Sequence, residues 1–388
     1  MDGYKNLREY FEEQIEPYIP ALQREYETYF LKRKTQILRA MNWGLLVLIT
    51  IAVGLRFFLP DALPSGLVGL SFGILLIYFI FKWFLLDTII QGSKKADVFR
   101  LKFKQKMVQP ILQVFDESLQ LFPKNRIDTD TLYKSGLFYQ TRDTKIEGED
   151  LVKGKYKGME VRFSEMSIRK RDKRGDSNDY KPVFEGLFME ATLPKSLGGT
   201  VFVLPNSIFT GALGLLKMKI LPSSDMTYQE RKAHNMEVAM SAMNHYHWEA
   251  ENVEAEIGVA LQEMVVTDKS VDEKFKVFAN EPSVVDELLN QNRLKQFLFA
   301  YQKDELAMKV ITNTKSFRVI ENSAIAKLSR TNFCIAVVND KAYLTVPFSG
   351  KNLFDPDWTE NTLSFENVET MYDELNTVFN FLDGFAAQ

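Results

Sequence analysis

Two apolar stretches, Met41 to Leu59 and Leu67 to Leu86, are separated only by Pro60-Asp-Ala-Leu-Pro-Ser-Gly66. Each matches the roughly 20 residues that an α-helix rising about 1.5 Å per residue needs to cross about 30 Å of hydrocarbon. The pattern predicts a transmembrane helical hairpin, which leaves most of the chain on one side of the bilayer. Lys32, Arg33, Lys34 and Arg39 precede the first stretch. Lys82, Lys94, Lys95, Arg100, Lys102, Lys104 and Lys106 lie in or after the end of the second, whereas the turn carries only Asp61. Positive charge stays inside, so both termini are expected in the cytoplasm. Arg56, near the outer end of the first stretch, is long enough to snorkel to the interface. A polar segment precedes the first stretch and no small-residue cleavage site follows it, which argues against a signal peptide.

Of the 388 residues 46% are hydrophobic and 26% charged, with a net charge of -3. This balance lacks the basic domain or stripe of a nucleic-acid-binding protein. Cys334 is the single cysteine, so no intrachain disulfide can form, as suits a cytoplasmic domain. It sits in the apolar run Asn332-Phe-Cys-Ile-Ala-Val-Val338, where a thiol behaves as a small core hydrophobe.

Before the hairpin, Tyr4, Leu7, Phe11, Ile15, Tyr18, Leu22, Tyr26 and Tyr29 recur by threes and fours and draw a stripe along a helix over residues 1–40. Pro17 and Pro20 predict a break in it. After the hairpin, Val98, Leu101, Val108, Leu112, Phe115 and Leu119 form a second stripe over residues 87–120, interrupted by Pro110. Helices leaving one hairpin start side by side, so these stripes are expected to form an antiparallel stalk, closed on itself or on a second copy. Gly69-Leu-Ser-Phe-Gly73 has the small-xxx-small spacing that lets helices approach closely in lipid, either within the hairpin or in a homo-oligomer.

Beyond Leu121 short alternating apolar runs predict strands near Leu137–Thr141, Met159–Ile168, Val183–Ala191, Thr200–Leu204, Phe275–Ala279, Phe333–Val338 and Ala342–Pro347. Asn339-Asp-Lys should turn the last two into a hairpin. Helices are expected over Thr227–Asn244, Glu281–Tyr301 and Asn367–Leu382. Strands mixed with helices without regular βαβ alternation indicate an α+β domain over residues 121–388, with a sub-boundary near residues 206–225.

Several phrases then form an ordered set: Gly148-Glu-Asp150, Gly154-Lys-Tyr-Lys-Gly-Met-Glu-Val-Arg-Phe-Ser-Glu165, Val183-Phe-Glu-Gly-Leu-Phe188, Gly198-Gly-Thr-Val-Phe-Val-Leu-Pro205, Phe275-Lys-Val-Phe-Ala279 and Leu353-Phe-Asp-Pro356. Together with the placement of the hairpin, the set resembles a family of bacterial membrane proteins that have two spans near the N-terminus and a cytoplasmic domain of unknown function. The resemblance implies an architecture and an inner-membrane location. It carries over no catalytic residue.

Chemistry-bearing residues are few. His245, His247, Glu249 and Glu251 share one face if the segment is a strand, and imidazole with carboxylate suits zinc or iron. On a helix they form i,i+4 pairs of a solvated face, with His234 near the face of His245. The loop residues Arg169, Lys170, Arg171, Lys173 and Arg174 are either a solvated charge run or a contact for anionic lipid headgroups. Glu149-Asp150 and Asp355-Pro-Asp357 each offer paired carboxylates, although turns favour Asp for backbone reasons. Phosphate-loop, dinucleotide, nucleophile-elbow and His-Glu-x-x-His motifs are missing. The resulting expectation is a membrane-anchored, non-enzymatic protein without a cofactor, whose cytoplasmic α+β domain binds another protein or membrane lipid. The rival is a membrane-tethered metal-dependent enzyme using the His245/His247 region.

Overall fold

The computed structural model of the chain describes residues 7–58, 94–138, 143–171, 180–205, 258–264, 266, 275–290, 294, 298, 333–347, 353–356 and 362–386. It divides into two compact units, Met1–Met107 with Trp358–Phe365, and Val108–Asp357 with Glu366–Gln388.

The first unit is helical. Pro17 falls in a 3₁₀ turn, Glu16–Tyr18, and α1 (Ile19–Tyr26) starts beyond it with Pro20 in its first turn, where no amide hydrogen is needed. A single π turn, Glu27–Leu31, joins α1 to α2 (Lys32–Phe58), so the chain stays helical from Ile19 onward. Helix α3 (Lys94–Phe103) packs back against α1. The contacts advance along α1 as they retreat along α3. Lys106 lies over the Tyr18 ring, Lys102 bonds Glu25 at 2.5 Å, Phe99 meets Tyr26 and Phe30, and Lys95 lies over Tyr29. This order makes the pair antiparallel, and buried Leu22, Tyr26, Phe30, Ala96, Phe99 and Phe103 fill the seam. Phe365 also belongs to this unit, edge-on to Phe11 and beneath the guanidinium of Arg8.

The second unit is built on a nine-stranded antiparallel sheet in the order β1-β2-β3-β4-β9-β8-β5-β7-β6. Its strands are β1 (Gln120–Phe122), β2 (Thr144–Tyr156), β3 (Met159–Arg171), β4 (Tyr180–Thr192), β5 (Thr200–Pro205), β6 (Gln262–Met264), β7 (Phe275–Ala279), β8 (Cys334–Val338) and β9 (Lys341–Pro347). The helices are α4 (Gln109–Phe115), α5 (Thr129–Lys134), α6 (Pro282–Val285) and α7 (Phe365–Asp383), whose first residue is the Phe365 of the first unit. Strands β5 and β8 are buried almost throughout because the sheet is covered on both faces. On one face Met166, Ile168, Phe184, Phe188, Phe202 and Tyr343 pack with Ile127, Leu132, Leu137 and Phe138. On the other, Phe379 of α7 receives Phe163 of β3, Tyr156 of β2 and Phe115 of α4. Helix α7 is tied down at its end, where Asp383 accepts hydrogen bonds from the Tyr156 hydroxyl at 2.9 Å and from Lys157 at 2.6 Å.

Mixed helix and sheet is therefore the fold class, as the sequence pattern predicts. Six of the seven predicted strands appear, and Asn339, at φ 58°, makes the two-residue turn between β8 and β9. Of the seventh, Leu137–Thr141, only Leu137 and Phe138 are among the described residues. Gly136, at φ 66°, ends α5, and Leu137 and Phe138 drop into the core from a turn rather than a strand. The sequence reading missed β1, β2, β6 and α5. Of the predicted helices, the one from Glu281 starts at Pro282 and becomes a π turn over Asp286–Asn290, while Thr227–Asn244 and the sub-boundary near 206–225 lie outside the described residues. Among the described residues no helix is long and apolar enough to cross a membrane. The first expected span is helical through Phe58, and the second, 67–86, lies outside the described residues.

Candidate functional site

A bulge in β2 gathers the acidic groups. Glu149 pairs with Glu165 and Val152 with Phe163, so Asp150 and Leu151 stand opposite Ser164 alone. Asp150 takes φ 59°, a left-handed conformation that Asp tolerates better than most residues. Its amide donates to the Pro123 carbonyl at 3.2 Å, and the amide of Leu151 to that of Asn125 at 2.9 Å, so the segment before α5 satisfies the bulge. From the chain's distant end, the 353–356 loop is fastened to the same place. The amide of Phe354 donates to Oε1 of buried Glu165 at 3.0 Å, while the Phe354 ring meets Phe163.

Glu149, Asp150 and Asp355 consequently converge, with one carboxylate oxygen from each lying within 4.8 Å of the others. Asp150 is fully buried and its two partners partly so. These are hard oxygen donors only, a set whose chemistry suits magnesium or calcium rather than zinc. The sequence offers Glu149-Asp150 and Asp355-Pro-Asp357 as two separate pairs; the fold joins the first pair to Asp355, and Asp357 lies outside the described residues.

A second charged feature lies at the opposite sign. Arg169, Lys170 and Arg171 are not in a loop but form the last residues of β3. The register sets Lys145 opposite Arg169, Thr144 opposite Lys170, Lys181 opposite Lys170 on the other side, and Tyr180 opposite Arg171. Two acids temper this charge: Glu185 accepts from Arg169 at 2.8 Å, and Lys145 lies 2.7 Å from Glu147. The Lys145 hydrogen bond, then its charge, with Arg169 adding to them against a small effect of burial, holds the Glu147 carboxyl below its ordinary value of 4.5. Lys145 and Tyr180 are members that the sequence reading did not find, since only strand register brings them to Arg169–Arg171.

The remaining candidates, His245, His247, Glu249 and Glu251 as metal ligands, Lys173 and Arg174 as lipid contacts, and Gly69 and Gly73 as helix-packing residues, lie outside the described residues. Comparison with protein-family models found no match to this chain, and neither did comparisons with curated proteins and with solved structures.

Proposed function

We propose that this chain is a membrane-anchored, non-enzymatic protein that holds its α+β unit at the cytoplasmic face of a bacterial inner membrane to bind a partner there. The observation that carries the reading is that α1 and α3 run antiparallel, as two helices on either side of one hairpin would.

Side-chain exposure adds support. On α2, Trp43, Leu46 and Val47 are 68%, 57% and 52% exposed, an i,i+3,i+4 apolar stripe facing outward just beyond Lys32–Lys34 and Arg39. A Trp next to a basic cluster at the start of an apolar helix is the arrangement of a membrane–water interface. Paired cysteine labelling tests the topology. In a Cys334→Ser background, a membrane-impermeant maleimide should label Ser65→Cys on intact cells and Lys195→Cys only after permeabilisation. Labelling of both on intact cells would overturn it.

A further inference from the structure

We propose that the outer edge of β2 pairs with the same edge of a second copy of this chain, antiparallel about a two-fold axis at Ile146, with Lys145 of each copy facing Glu147 of the other. The pairing lies wholly within the second unit and makes no use of the membrane anchor. On one side β2 is lined by β3 from Thr144 to Tyr156, but on the other β1 borders it only along Leu151–Lys153. Among the described residues no strand borders the stretch around Ile146 on that side. The direction of its backbone groups is fixed from both ends. The Arg171 amide donates to the Asp143 carbonyl at 3.0 Å, so the backbone at Asp143 is turned toward β3, whereas the Asp150 amide donates the other way, to the Pro123 carbonyl at 3.2 Å. Between these points the register is unbroken from Thr144 to Glu149, and the backbone groups of successive residues point to alternate sides. Ile146 and Gly148 therefore direct N–H and C=O to the outer edge, which is a template for another strand.

The side chains select which strand. A two-fold axis at Ile146 sets each residue opposite the one equally far beyond the axis in the second copy. The two Ile146 residues then exchange amide–carbonyl bonds, and Lys145 and Glu147 meet as non-hydrogen-bonded pairs, whose Cβ atoms lie about 4.5–5.5 Å apart. Lys145 and Glu147 are exposed on one face, where they bond each other at 2.7 Å, so both pairs across the axis unite opposite charges. The same two charges deter an apolar strand, as charged side chains on an edge do. On the other face Ile146 packs against the core of its own sheet, so two Ile146 side chains meeting at the axis continue the apolar layer from one copy to the next. The pairing ends at Gly148. Glu149 opens the bulge, which bends and twists the strand, so Glu149 is not carried opposite Asp143 of the second copy. A strand pair this short buries less than a standard interface, which makes the dimer weak and reversible.

Disulfide trapping between two differently tagged full chains, produced together in a Cys334→Ser background, tests the proposal. One chain carries Lys145→Cys and the other Glu147→Cys, which leaves Glu147 of the first facing Lys145 of the second. Mild oxidation should join these chains several-fold faster than two chains carrying Lys195→Cys at a highly exposed site. Adding Lys145→Glu to the Glu147→Cys chain sets acid against acid across the axis and should slow joining several-fold. Within its own sheet the new acid lies opposite Arg169, a favourable pair that keeps the fold intact. Adding Glu147→Lys to the first chain should then restore the rate. Joining no faster than at Lys195 would overturn the proposal. So would joining that ignores Lys145→Glu, or a loss that Glu147→Lys does not repair.

Discussion

At the scale of single residues, the second unit is pinned by a polar network around Arg162. Its guanidinium binds Glu190 and, at 3.1 and 2.7 Å, Asp128 and the Thr131 hydroxyl, which joins β3 and β4 to the start of α5. Asp128 is also the N-cap of α5, accepting from the Thr131 amide at 2.7 Å. Burial raises its pKa, but the Thr131 hydrogen bonds and the Arg162 charge outweigh that and leave the carboxyl below its ordinary value of 3.8. The folded state therefore favours the carboxylate. Its contribution is present above the ordinary value and is lost as pH falls through the lowered one. Asp128→Ala should cost about 1 kcal/mol at neutral pH, a typical N-cap penalty. Denaturant titrations of wild type and variant should converge in acid, and a gap that does not shrink would remove the carboxylate from the account. Gly186 is a steric counterpart. A Cβ there would press on the Val346 carbonyl oxygen and lie 2.6 Å from Pro347 Cα, so Gly186→Ala must push β4 from β9. We expect a loss of about 1–3 kcal/mol, the usual range for overpacking, read as a lower denaturation midpoint.

Elements were legible in the sequence where a buried face imposed a period. The runs that became β3, β4, β5, β7, β8 and β9 are rich in Val, Ile, Phe and Leu, and their bounds fall within a few residues of the pattern. Strand β2 was not, because Thr144–Tyr156 carries two glycines, a bulge and many charges, and only β1 borders it on its outer side, along Leu151–Lys153. The short helix α5 was hidden for a different reason: its capping signal, Asp128-Thr-Asp-Thr131, precedes only six residues. Helix α7 shows how much one element carries. Phe379 is buried against rings from α4, β2 and β3, so Phe379→Ala should cost about 3–5 kcal/mol, the range for deleting a core phenylalanine. A change of less than about 1 kcal/mol in the unfolding free energy would mean that α7 is not the lid of this sheet face.

On the scale of the whole molecule, local sequence and long-range assembly part company. The expectation of a hairpin and of its orientation comes from hydropathy and charge bias, each span being read from its own residues. The acidic cluster could not be read that way. Glu149-Asp150 and Asp355 lie far apart in the chain, and they meet only because a bulge turns one and the Glu165 carboxylate fastens the loop of the other. The basic strand end has the same character, since Lys145 joins Arg169 through register. In the helical unit the two levels agree only in part. The expected antiparallel pairing appears, and Leu22 and Tyr26 of the first stripe lie in its seam, but on α3 the seam is Ala96, Phe99 and Phe103, while Val98 of the second stripe is 52% exposed.

The central claim, that those stretches anchor the protein, is tested most directly by alkaline extraction of membranes from cells producing the full chain, beside a chain in which residues 41–86 are replaced by a polar linker. The account predicts that the full chain stays with the membrane pellet and that the linker chain is released. Release of the full chain by alkali would contradict it.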